Sequence, residues 1–122
     1  MNANQLEERL INFGVRITYL CRGLPTKEFF DAKHVAGQLL RAGTHAGFHY
    51  PEARAAESTQ DFRHKLKVML KELRESRAEL RYIERMKYFE KGKVDPLIQE
   101  SSELIAIFTA TTKKLTDKLK KV

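Results

Sequence analysis

Leu6, Leu10, Phe13, Ile17, Leu20 and Leu24 step along the first part of the chain by four, three, four, three and four. That spacing keeps all six on one face of an α-helix. The stretch GLPTKE ends the pattern, with Gly23 and Pro25 as stop signals and Thr26 as a candidate cap for the next helix. A second stripe runs through Phe29, Ala32, Ala36, Leu39, Gly43, Ala46, Tyr50 and Ala53, and it is rich in small residues. Pro51 falls late in it, so a kink or an end is expected there. Ser58 and Asp61 form S-x-x-D, a variant of the capping box, just before Phe62. A third helix is therefore expected from Thr59, with Phe62, Leu66, Met69, Leu73, Leu80 and Ile83 as its stripe. Asp95-Pro96 reads as a cap followed by proline at the first helical position. It opens a fourth stripe of Ile98, Ser101, Ile105, Phe108, Thr112, Leu115, Leu119 and Val122.

The expected helices span residues 4–22, 27–56 (kinked near 51), 59–90 and 96–121. Four amphipathic helices with short connections predict an all-α, up-down-up-down four-helix bundle, with residues 1–122 in one domain. At 42% apolar and 32% charged, the composition is that of an ordinary folded chain. No apolar run is long enough to span a membrane, and MNANQLEERL lacks the basic and apolar blocks of a secretory signal. Cys21 is the only cysteine, which excludes a disulfide framework and fits a reducing cytoplasm. A cytoplasmic location with no membrane partner is the expectation.

The stretch RAGTHAGFHYPEA, residues 41–53, carries two interleaved spacings. His45, His49 and Glu52 share one helical face, and two imidazoles with a carboxylate can hold a divalent metal. The spacing is not H-E-x-x-H, and all three point away from the apolar stripe. Exposed or interface histidines are the plainer reading, and no metal or other cofactor is assigned. Gly43 and Gly47 cost a helix interior about 1 kcal/mol each relative to alanine. Close approach by another helix is the usual compensation. Phe48 lies on the outer face beside them, which suggests cover by a neighbouring chain.

The third helix has two charged flanks. Measured from Phe62, Arg63, Lys67, Arg74, Arg81 and Arg85 fall at about 100–140°. Asp61, Glu72, Glu75, Glu79 and Glu90 fall at about 220–280°, while Lys65 and Lys71 depart from the separation. Such a helix suits head-to-tail contacts between identical subunits, or a solvated face with local pairs. The C-terminal Lys113, Lys114, Lys118, Lys120 and Lys121 add a second basic cluster, and the net charge is +7. Lysines at a helix end complement the helix dipole. They also suit phosphates, which they would contact without reading sequence. There is no phosphate loop, nucleophile elbow or paired-cysteine site, so catalysis is not expected.

Gln38 to Thr44 (QLLRAGT), Tyr50 to Ala53 (YPEA), Ala56 to Phe62 (AESTQDF), then Lys65-Leu66 and Lys71-Glu72 through Glu75, together resemble one family. These are the bacterial four helix bundle proteins, also called 23S rRNA intervening-sequence or S23-like proteins. The specific match covers roughly residues 38–80. It implies a left-handed bundle assembling as a homopentameric ring. A related branch serves as the accessory subunit of diversity-generating retroelements, where it engages reverse transcriptase and nucleic acid. By position, Arg41, Gly43, Tyr50, Glu52, Ser58, Asp61, Lys65, Lys71, Glu72 and Glu75 would be architectural, capping, packing or pairing between subunits. The family often has Ser at His45, Asn at His49 and Trp at Glu79, and usually not proline at Pro51. The resemblance therefore brings no metal site. The expected function is a non-catalytic homo-oligomeric basic scaffold for RNA or DNA, or for a nucleic-acid-processing protein. The alternatives are a purely protein-interaction scaffold and, behind it, a small metal-binding bundle.

Overall fold

Two of the four helices start where a side chain satisfies their first backbone donors. The Asn2 side chain accepts from the Gln5 N–H at 2.9 Å, and the Gln5 side chain accepts from the Asn2 N–H at 2.9 Å. This reciprocal cap opens α1, Ala3–Arg22. The Ser58 hydroxyl accepts from the Asp61 N–H at 3.0 Å and opens α3, Thr59–Met86. Asp61 reaches back to the Glu57 N–H at 3.4 Å, one residue beyond the reciprocal partner Ser58, and pairs with Lys65 at 2.9 Å. The other two helices are α2, Phe30–Arg54, and α4, Asp95–Lys120. The structure is a computed structural model and describes residues 1–121; Val122, the last position of the fourth stripe, lies outside the described residues.

Several boundaries differ from expectation. α2 starts at Phe30 and not at 27, because Pro25 to Glu28 first form a turn and Phe29 is extended. Thr26 therefore caps nothing. α2 runs through Pro51 to Arg54, so the proline does not end it, and the expected last two residues fall outside. α3 stops at Met86, short of 90, because Lys87 takes a left-handed conformation with φ 60°. Glu90 thereby leaves the acidic flank. Asp95 is inside α4, and Val94, without a capping side chain, precedes it.

Sequential helices pack on one another, α1 on α2, α2 on α3 and α3 on α4, whereas α1 and α4 meet only briefly. The result is an up-down four-helix bundle with one loose seam. Leu10, Phe13, Ile17, Leu39, Leu73, Leu80, Leu104 and Phe108 are at most 1% exposed and form its centre. Tyr50 meets Phe108 edge-on at 5.9 Å between ring centres.

The two glycines of RAGTHAG serve the α1–α2 contact within the chain. A Cβ on Gly43 would lie 2.7 Å from Ile17 Cγ2, and one on Gly47 would lie 3.1 Å from the Leu10 carbonyl oxygen and from Ile11 Cα. Ile17 is a side chain; at Gly47 the obstacle is backbone and cannot step aside. Gly47→Ala is therefore expected to destabilise by about 1–3 kcal/mol, although alanine is the better helix former. Gly37 has nothing within 4 Å of its Cβ direction, so Gly37→Ala should stabilise by about 0.5–1 kcal/mol. Urea unfolding of both variants checks the pair, and equal shifts in the same direction would contradict it.

Candidate nucleic-acid interface

The two charged flanks of α3 meet different neighbours. The acidic flank faces α2. Arg41 of α2 bridges two carboxylates about one turn apart, with Nη1 3.0 Å from Glu72 and Nη2 3.1 Å from Glu75. Glu72 is buried, while Arg41 remains largely exposed. These three of the expected architectural residues thus pair inside one chain. Lys65 pairs with Asp61, Tyr50 is buried, and Glu52 and Lys71 are exposed.

Glu79, one turn beyond Glu75, lies past the reach of Arg41. Its Oε1 is buried with no hydrogen-bond partner. Burial pushes its carboxyl up to about 7; Glu75 and Glu72 push the same way and Arg41 opposes them. From α1 the buried Cys21 thiol feels it too, pushed up to about 11 by burial and by Glu79. This is the position where the resemblance expects tryptophan, which would put no charge there.

The basic flank faces α4. Arg63 Nε donates to the Thr116 hydroxyl at 2.6 Å, and Arg77 Nε donates to the Ser102 hydroxyl at 2.9 Å. Both partners are neutral, so these contacts position the guanidinium groups without cancelling their charge. Lys67, Arg74, Arg81 and Arg85 are exposed. Among the described residues the cations in ion pairs are Arg9, Arg41, Arg54 and Lys65, with His49 3.8 Å from Glu52. None belongs to the basic flank or to the C-terminal lysines. Glu84, beside Arg85 and Arg81, is the acid at the far end of the strip, and it forms no ion pair with either.

α4 continues this face unevenly. Lys113 and Lys120 lie within about 60° of Thr116, on the edge turned to α3. Lys114 and Lys118 lie about 160° from it and belong to another side. Lys121 follows the helix end. The ten expected cations therefore do not form one patch: Arg63, Lys67, Arg74, Arg81, Arg85, Lys113 and Lys120 do. The 100–140° window leaves out Arg77, which sits at about 60° on the rim of the apolar stripe. Its spacing of three and four from Arg74 and Arg81 is the signal that joins it to them. From Arg63 to Arg85 the strip is about 33 Å long, close to one turn of duplex nucleic acid.

The histidines sit on the opposite seam. The His45 and His49 rings stack at 4.1 Å between centres, and His64 of α3 lines the same cleft with Glu52. His64 is outside the H-x-x-x-H spacing because it comes from another helix. Burial, then His49, holds the His45 imidazolium below its ordinary range, and its Nδ1 is buried without a partner. Among the described residues no three His, Cys, Asp or Glu side chains converge as a metal-ligand set. Phe48 is 74% exposed, and Ile11, Val15 and Leu40 are also exposed on α1 and α2.

A model of the 23S rRNA-intervening sequence protein family matches residues 4–110. Among solved structures, a protein of unknown function from the S23 ribosomal protein family of Bacteroides thetaiotaomicron is similar, at 30% identity and a TM-score of 0.78. The match covers 88% of this chain and 97% of that one. No curated protein matches.

Glu79 makes a pH-dependent prediction. Its folded pKa lies above its ordinary value near 4.5, so between about 4.5 and 7 the folded state holds more protons than the unfolded one. Its contribution to stability therefore falls as pH rises through that window. Glu79→Gln is expected to stabilise by about 1 kcal/mol at pH 8 and to give no gain at pH 4.5. Thermal melts across pH check this, and a gain independent of pH would contradict it.

Proposed function

The chain belongs to the 23S rRNA-intervening sequence protein family, and on that premise we propose that it is a non-catalytic basic scaffold that binds structured RNA or DNA through phosphates. The observation that carries this reading is the α3–α4 strip, whose arginines and lysines form no ion pairs among the described residues. Guanidinium and ammonium groups spaced along a helix contact successive phosphates and leave base identity unread. A nucleic-acid-processing protein would be recruited through the bound strand.

The scaffold is a homo-oligomer in this reading, five-membered as the family resemblance implies. Exposed Ile11, Val15, Leu40 and Phe48 support it, since apolar side chains grouped on one face favour cover by another copy. No described helix is long and apolar enough to cross a membrane, and a cytoplasmic setting is part of the proposal. The same apolar face favours the second reading, a protein-only scaffold in which the basic strip is itself used between subunits.

Charge reversal separates the two. Arg74→Glu with Arg81→Glu is expected to leave the subunit number unchanged in native mass spectrometry. It should weaken duplex binding and lower the slope of log affinity against log salt by about 1 for each phosphate no longer bound. Dissociation of the oligomer would favour the protein-only scaffold. Wild-type binding that does not weaken with salt would sink the phosphate reading.

A further inference from the structure

The loose seam between α1 and α4 opens into a cleft of about 510 Å3 near the start of α4. That size lies within the roughly 300–1,000 Å3 of small-molecule sites. Arg16 and Tyr19 come to it from α1, Phe89 and Lys93 from the connection before α4, and Leu20 and Leu97 give it an apolar base. Gly23 leaves space for Phe89: a Cβ there would lie 3.1 Å from Phe89 Cε1. Tyr19 is 65% exposed, and the Arg22 guanidinium carbon lies 5.4 Å from its ring centre. Among the described residues no carboxylate lines this cleft. Glu84, Glu90 and Asp95 line a neighbouring one that shares Phe89.

An exposed ring flanked by cations differs in chemistry from the α3–α4 strip. The strip is a row of cations with one acid, Glu84, at its far end, and it suits phosphates on either strand of a duplex. A ring offers a surface for an unpaired base, and every base has a face that stacks. Cations beside the ring suit the phosphate that comes with that base. The arrangement is poor for an aliphatic or cationic partner, because Arg16 and Lys93 would then be brought against it without counter-charge.

We propose that this cleft binds an unpaired nucleotide of a single-stranded nucleic acid, with the base stacked on Tyr19 and the phosphate held by Arg16 and Lys93, the two cations that line the cleft. The inference rests on the phosphate-binding reading for longer strands, which would also touch the strip. It gives the protein a means to hold a junction between paired and unpaired regions, the duplex on α3–α4 and the loose end on α1–α4.

The test uses the full chain and two labelled probes, a 12-nucleotide oligouridine and an RNA duplex of the same length, read by fluorescence anisotropy. Tyr19→Ala is expected to weaken oligouridine binding roughly 5- to 100-fold. Duplex affinity should stay within about twofold, since the phosphate-binding cations of the strip are untouched. Tyr19→Phe, which keeps the ring, should restore single-strand binding. Equal loss on both probes, or no loss on either, overturns the proposal. So does a change in subunit number with binding unaltered, because the ring then faces a second copy. If neither probe binds the wild type, the phosphate-binding reading falls, and uridine monophosphate decides the cleft separately. Amide shifts at Tyr19, Gly23 and Lys93 on titration with millimolar nucleotide support the cleft, and their absence overturns it.

Discussion

Burial of the apolar stripe of α3 decides which way the charges of this protein face. Leu66, Met69, Leu73, Leu80 and Ile83 are at most 1% exposed, and each is worth about 1.5–3 kcal/mol in the core. The Arg41 pairs with Glu72 and Glu75 lie at a rim, where solvent screening leaves such contacts little net weight. The stripe therefore sets the rotation of the helix, and Arg41 adjusts to it. Once that rotation is set, the acidic flank must meet α2 and the basic flank must lie along α4. The hydroxyls of Thr116 and Ser102 then fix two guanidinium groups without neutralising them.

A second constraint works between α1 and α2. Gly43 and Gly47 bring the two helices close enough that Ile17 and the backbone at Leu10–Ile11 fill the space a side chain would take. The contact stays within the chain and leaves Phe48 on the outside of the pair. Tight packing on this side contrasts with the α1–α4 seam, where the helices barely touch and Phe89 and Tyr19 border an open cleft. The bundle is thus asymmetric: one seam is sealed by glycine, another is open, and a third carries free cations.

Much of this is legible in the sequence, because three-and-four spacing of Leu10, Phe13 and Ile17, or of Leu66, Met69 and Leu73, is a direct record of burial. The G-x-x-x-G pair correctly announces a close helix contact, and the flanks of α3 are visible from angle alone. Boundaries are less legible. Lys87 turns left-handed without a glycine to announce it, and α2 starts at Phe30, three residues later than expected. Asp95-Pro96 looks like cap and first residue, yet Asp95 is already helical. Local signals cannot foresee what tertiary contacts allow. The site shows the same limit. Angles on one helix cannot tell that Lys113 and Lys120 join the α3 strip while Lys114 and Lys118 do not, nor that His64 meets His45 and His49 across a seam. Those are relations between helices, and they emerge only when the helices are packed.

In the proposed scaffold the α3–α4 cations are open to solvent in the assembled protein and occupied by phosphates when nucleic acid is present. Lysine acylation footprinting of the native oligomer, with and without duplex RNA, measures this residue by residue. Lys67, Lys113 and Lys120 should react freely in the protein alone and be protected by RNA, while Lys33 and Lys91 should react equally in both. If Lys67, Lys113 and Lys120 are already protected without RNA, or if RNA protects all lysines alike, the basic strip is not the phosphate-binding face.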